Sequence, residues 1–349
     1  MRCLSRTIRA KTVPSRGVTL LELLIVMAIM VMVTAAAIPI MLPAVQNRRM
    51  REASRLVSSY ISGARSRAIE TGRPVGVMVE RLNGQPYAMT LSYVEVPPPY
   101  AGDTTGATCT FTAAGAGSVT LALSSPIPAG LIRLNDTLRL NYKPSLYTIT
   151  GPDTSPADGV VDSGSQLTAT LISPATGIIP WTTLSPGVPY QIFRQPVRSS
   201  AAPMQLPEGT VIDLASSGYT LNNTPYAFNS GSSTAPIVLF NPVITFAPNG
   251  SVDYVTNNAS PFNLMRAPGP IFLMLGRREL MPDVSKSGNN ENLYDPGVTL
   301  PALNLYLSNY WIAIGNTTGT VTVAENASNV GAFDVARGFA QQGQSVSGQ

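Results

Sequence analysis

The stretch Gly17-Val18-Thr19-Leu20-Leu21-Glu22-Leu23-Leu24-Ile25-Val26 joins two very different sequences. Before it, residues 1–17 carry Arg2, Arg6, Arg9, Lys11 and Arg16 and no acid. After it, Leu23 to Ile38 is apolar except for Thr34, and the apolar character runs on to Val45 past Pro39 and Pro43. Val18 to Val45 is 28 residues, more than the ~20 a helix needs to cross a bilayer. A secretory signal peptide would be cut after the apolar run, at small residues such as Ala35-Ala36-Ala37. A simple signal anchor would need no acid at all. Neither accounts for Glu22, an unpaired carboxylate costing about 2–3 kcal/mol at its worst depth. An acid placed there needs a partner.

These residues resemble the cleavage and methylation signal of type IV pilins and type II secretion pseudopilins. The resemblance implies that a membrane-embedded prepilin peptidase and methyltransferase cuts between Gly17 and Val18 and methylates the new amine of Val18. Residues 1–17 are then a basic leader that is removed, and Glu22 is the filament-assembly acid, paired with a Val18 amine. Pro39 falls where such helices bend. Val18 itself departs from the usual Phe or Met at the first mature position. The resemblance implies a single pass through a bacterial inner membrane, N-terminus cytoplasmic and head periplasmic. Charge alone gives only a mild preference, because Arg48, Arg49, Arg51 and Arg55 follow the apolar run with only Glu52 among them.

Beyond the apolar run, Met50, Ala53, Val57, Tyr60, Ala64 and Ala68 recur every three or four residues, with Leu56 and Ile61 widening the stripe. Arg51, Arg55, Ser58, Ser62 and Arg65 fall opposite. The spacing predicts that the helix of residues 18–45 continues amphipathically over 46–72. Gly72 supplies a left-handed cap, with Pro74 beyond it. The arginine face reads as a solvated helix side, or as a contact for neighbouring subunits or lipid headgroups.

After Gly72 the chain reads as β over 73–325. Residues 74–80 and 87–96 are strand-like around Asn83-Gly84, a strong hairpin signal. Further strands are expected at 118–124, 130–134, 137–142, 146–150, 190–194, 209–214, 237–240, 243–246, 271–275, 311–314 and 320–323. Residues 326–349 read as a loosely ordered tail. The expected class is α+β: one long N-terminal helix packed on a mainly antiparallel, β-rich head.

A weaker resemblance extends into the head. Ala64–Val77, then Leu206-Pro207-Glu208-Gly209-Thr210-Val211, then Thr245-Phe246-Ala247-Pro248-Asn249-Gly250-Ser251, then Ile312–Val323 follow the order of motifs in the GspH/FimT subgroup of minor pilins. Against that pattern the head is long, and residues 97–188 and 276–304 look like insertions.

Composition removes much chemistry. There is no histidine in the 349 residues, so no Ser-His-Asp triad and no His-ligated metal. The two cysteines, Cys3 and Cys109, lie in the leader and the head, which leaves Cys109 without a partner after processing. Asp153, Asp158 and Asp162 faintly suggest a calcium loop, but Ser155 and Ala157 stand where ligands are needed. The net charge of +4 resides in the leader: without it, eighteen basic residues face nineteen acidic ones. Nucleic-acid binding therefore has no support. No enzyme activity, cofactor or metal is expected.

The expected function is that of a structural minor pseudopilin of a type II protein secretion system. It would assemble with other pseudopilins and an inner-membrane assembly platform, surrounded by inner-membrane lipid. The alternatives are a minor pilin of a type IV pilus, or a membrane-anchored surface-binding protein.

Overall fold

The computed structural model describes residues 19–82, 85, 87–114, 118–154, 159–172, 187–221, 224–228, 241–257, 263–280, 309–326 and 333–343. The chain divides into two compact units, Met1–Arg48 and Arg49–Gln349. Helix α1 runs Leu20–Thr71, as the two joined periodicities require. In the first unit its side chains from Leu20 to Val33 are exposed. Among the described residues no helix is long and apolar enough to cross a membrane. The side chains of residues 36–44, at the C-terminal end of the apolar run, lie outside that description. Pro39 belongs to this segment.

In the second unit the remainder of α1 is amphipathic as read, except that Leu56, read as widening the apolar stripe, is 38% exposed. Met50, Ala53, Val57, Ile61, Ala64 and Ala68 are buried. They share one core with Val77, Val79, Leu91, Ile212, Ile244, Phe246, Leu273 and Ile312 from the strands below. Alanine at three of these positions lets the helix lie close to the sheet, because a short side chain keeps backbones near each other. The helix ends at Thr71, and Gly72 adopts φ +63°, the left-handed cap its lack of Cβ permits.

The strands form two antiparallel systems. They are β1 (Val75–Arg81), β2 (Tyr87–Glu95), β3 (Thr108–Ala114), β4 (Ser118–Ile127), β5 (Thr137–Leu140), β6 (Leu146–Gly151), β7 (Gly164–Leu171), β8 (Val188–Phe193) and β9 (Val197–Arg198). There follow β10 (Met204–Gln205), β11 (Thr210–Leu221), β12 (Thr224–Ala227), β13 (Val243–Phe246), β14 (Val252–Asn257), β15 (Asn263–Arg266), β16 (Ile271–Arg277), β17 (Tyr310–Ile314) and β18 (Val321–Glu325). The larger sheet has the order β15-β14-β13-β1-β2-β11-β16-β17-β18, with β9 and β10 on β2 and β12 on β11. The intervening strands close a separate barrel, β3-β4-β7-β6-β5-β8. Closure removes every free strand edge. Its own core holds Leu121, Ile127, Leu138, Tyr147, Ile149, Leu167 and Ile192.

The α+β class and antiparallel head thus follow the sequence reading, with local departures. Residues 130–134, read as a strand, form turns: Gly130 has φ +78°, and Arg133 makes only an isolated bridge to Val160. Strands β3 and β7 sit where no strand was expected: their few buried residues, Cys109, Leu167, Ala169 and Leu171, alternate with Thr, Ser and Gln. In 326–349, read as loosely ordered, the chain forms helix α2 (Phe333–Gln342) with Arg337 and Ala340 buried. The Arg337 guanidinium donates to Ser216 O at 2.6 Å and Tyr219 O at 3.4 Å and lies beside the Phe272 and Trp311 rings. The Asn83-Gly84 turn, the expected strand at 237–240 and residues 281–304 lie outside the described residues; β1 and β2 nevertheless pair antiparallel around that turn.

Candidate processing and assembly site

The described chain begins where the processing signal meets the helix. Leu23 N donates to Thr19 O at 3.1 Å, the first α-helical bond of α1. Thr19 Oγ1 accepts from Glu22 N at 3.2 Å. Thr19 is therefore the N-cap and Glu22 the third helical residue, an arrangement in which the hydroxyl satisfies one of the orphan amides of the first turn. An acid in that turn also complements the positive end of the helix dipole. The Thr-x-x-Glu spacing is a legible capping signature, and the capping role of Thr19 is what the sequence reading missed. Gly17 and Val18 lie immediately before it, outside the described residues. A cut between them would release an amine one residue from the cap and about one helical turn from the Glu22 carboxylate.

Downstream, the exposed run of Leu20, Leu21, Leu23, Leu24, Ile25 and Val26 continues to Val33. Its one hydroxyl, Thr34, is internally satisfied: Oγ1 donates to Met30 O at 2.8 Å and Val31 O at 3.0 Å. An exposed apolar surface of this size marks a site of contact with protein or membrane.

On the arginine face of α1, Arg51 and Arg55 are exposed as read, whereas Arg65 is half-buried. Arg65 Nε donates to Gly250 O and Thr318 O, both at 3.1 Å. One guanidinium thereby ties the turn between β13 and β14 to the turn between β17 and β18. Those turns need their glycines: Gly250 has φ +84° and Gly319 φ +62°. Arg67 lies 4.0 Å over the Tyr93 ring, which stacks at 4.0 Å on Tyr60. Arg49 reaches Glu208 O at 3.4 Å and its carboxylate at 3.9 Å. Leu206–Val211 and Thr245–Ser251, singled out in sequence, supply the carbonyl acceptors for Arg49 and one of those for Arg65.

The other candidates have structural roles. Cys109 is a free, buried thiol, pushed up to about 12 by burial, the opposite of what a nucleophile needs. Asp153 Oδ2 accepts from Gly159 N at 3.0 Å; Asp162 Oδ2 accepts from Thr154 N at 3.0 Å and Thr154 Oγ1 at 2.6 Å. These bonds fold the loop upon itself, and Asp158 lies outside the described residues. Among the described residues no group of acids or cysteines is arranged to hold a metal ion.

Residues 14–38 match the prokaryotic N-terminal methylation motif, the type IV pilin-like prepilin signal. It carries the implication of processing by prepilin peptidase and assembly with other pilins. No curated protein and no solved structure matches the chain.

Proposed function

We propose that the chain is a structural minor pseudopilin of a type II protein secretion system, of the GspH/FimT kind, built into a periplasmic pseudopilus that drives protein export. The observation that carries this reading is the methylation motif over residues 14–38, set on a helix whose side chains from Leu20 to Val33 are exposed and, apart from Glu22, apolar. Residues 18–45 anchor the precursor across the inner membrane with the head in the periplasm, and later pack among the same segments of neighbouring subunits. The order of the head motifs, from the helix end to the closing pair β17–β18, supports the minor-subunit reading. The chain is a structural component and not an enzyme.

Glu22 specifies register. Within a bundle of apolar helices an unpaired carboxylate costs several kcal/mol, so helices settle at the offset that brings it to a Val18 amine. Thr19 fixes where the helix starts and hence where that amine lies. Glu22→Gln retains size and polarity and should be cut normally at Gly17, yet enter filaments poorly; full incorporation of the cut variant would refute the pairing. Deleting the gene should abolish export of secreted proteins while surface pili persist. Loss of pili with export intact would instead identify a type IV pilus subunit.

A further inference from the structure

The chain enters and leaves the barrel through a two-stranded neck whose ladder has a gap. On the sheet side Val94 pairs with Arg198 and Glu95 with Val197, and Ser199 N donates to Tyr93 O at 2.8 Å. On the barrel side Tyr100 and Ile192 exchange both backbone bonds, at 2.9 and 2.8 Å. Between these rungs stand Pro97, Pro98 and Pro99 on one chain and Pro196 on the other. Proline has no N–H, so these positions cannot donate to a ladder. The barrel and the larger sheet keep separate cores, and among the described residues no barrel strand pairs with a strand of the larger sheet.

Asp136, the residue before β5, stiffens this gap. Gln195 N donates to Asp136 Oδ1 at 2.9 Å, Gln195 Nε2 donates to Leu134 O at 2.6 Å, and Arg133 N donates to Asp136 Oδ2 at 2.8 Å. These bonds pin Gln195 to the barrel, so that Pro196 alone spans the gap on that chain. Without them β8 ends at Phe193, and Arg194, Gln195 and Pro196 span it together, matching the three prolines opposite. Prolines keep a chain extended, so bending is confined to the ends of such a segment. Arg194 Nη2 also crosses the gap, donating to Pro98 O at 3.1 Å, but that bond is exposed to solvent.

We propose that the neck is a hinge for the barrel and that the Asp136–Gln195 contact is its latch, closed while Asp136 holds a proton and loosened when it ionises. Asp136 is 1% exposed, and an ionised carboxyl in such a place loses hydration that two amides replace only in part. Burial pushes it up to about 6, against the pull of the Arg133 and Gln195 amides and of the Arg133 and Arg194 guanidiniums. Strand β6, whose Ile149 N donates to Asp136 O, brings one further titratable group, Tyr147, which lies in the barrel core. The connection 152–163 brings Asp153 and Asp162, which accept from Gly159 and Thr154 within their own loop. With the neck open the carboxyl is hydrated and returns to its ordinary range. The closed form therefore holds the proton more tightly, and raising the pH from about 4 to about 7 favours the open form by roughly a hundredfold. The inference does not depend on the filament reading, because it uses only the barrel and its neck.

The test is hydrogen exchange of the full-length chain in mild detergent, read amide by amide from pH 4 to pH 7 and corrected for the intrinsic pH dependence of exchange. Protection of the Gln195 and Arg133 amides should fall by up to about a hundredfold as Asp136 ionises, while the Tyr100 and Ile192 amides keep theirs. Asp136→Asn, which stays neutral, should remove the pH dependence. Spin labels at Thr170→Cys on the barrel and Ser66→Cys on α1, both exposed positions, should give a broader distance distribution at pH 7 than at pH 4. For that measurement Cys3 is replaced by serine, and Cys109 is shielded by burial. Constant protection at Gln195 and Arg133 overturns the latch, as does an unchanged pH dependence in Asp136→Asn. Equal loss of protection at Tyr100 and Ile192 means that the barrel unfolds, and identical distance distributions at the two pH values mean that the neck is rigid. Either result overturns the hinge.

Discussion

Ile61→Ala should be among the most damaging single truncations in the chain. Ile61 is 1% exposed and belongs to the core shared by α1 and the larger sheet. The change removes three carbons, about 2.4 kcal/mol of transfer free energy at ~0.8 kcal/mol per methylene. A cavity term is added, because the neighbouring helix positions Ala53, Ala64 and Ala68 are too short to fill the space. The total is about 3–4 kcal/mol, within the ~2–5 kcal/mol range for buried isoleucine truncations. At about 2–4 °C per kcal/mol for a domain of this order, the midpoint should fall by roughly 6–16 °C. Thermal unfolding in mild detergent can be followed by near-ultraviolet circular dichroism, to which the buried Trp311 contributes. Leu56→Ala, at a position 38% exposed on the same helix, is the control and should cost less than about 1 kcal/mol. If the two variants melt together, the second half of α1 is not packed on the sheet as described.

Asp136 yields a pH signature. It is buried, accepts from Arg133 N at 2.8 Å and Gln195 N at 2.9 Å, and burial pushes its carboxyl up to about 6 despite those bonds. The folded state holds the proton more tightly than the unfolded one, so this group's contribution to stability falls as pH rises from about 4 to about 6. The difference in unfolding free energy between wild type and Asp136→Asn should therefore change across that window, on the order of 2–3 kcal/mol at most; a constant difference would contradict the assignment. Cys109 should resist alkylation at neutral pH in the native chain and react after denaturation, a contrast readable by mass; prompt native labelling would mean the barrel is open.

Much of the molecule is legible in the sequence wherever one periodicity is strong. The stripe from Met50 to Ala68 marks the buried face of α1, and Gly72 marks its end. Pro248-Asn249-Gly250 marks the β13–β14 turn, where Asn249 Oδ1 accepts from Ser251 N at 3.0 Å. The barrel is harder to read. Strands β3 and β7 interleave a few buried residues, Cys109, Leu167, Ala169 and Leu171, with Thr, Ser and Gln, so their sequence resembles a polar linker. Its closure depends on the long-range pairing of β3 with β8, which no local signal encodes. Arg65 reads as a solvated cation, and nothing local marks Arg337 as buried, because the carbonyls they bind lie far away in sequence. Glu22 and Thr19 are the reverse case: both the acid and its cap lie within one turn, and the pattern is local.

The most direct measurement of the central claim is the intact mass and N-terminal sequence of the protein extracted from membranes of its native host. The account requires a chain that begins at Val18 and is one methyl group heavier than the unmodified residue would give, with Gly17 replaced by a bulky residue leaving the leader attached. A retained leader in the wild type, or a chain starting near Ala37, would contradict it.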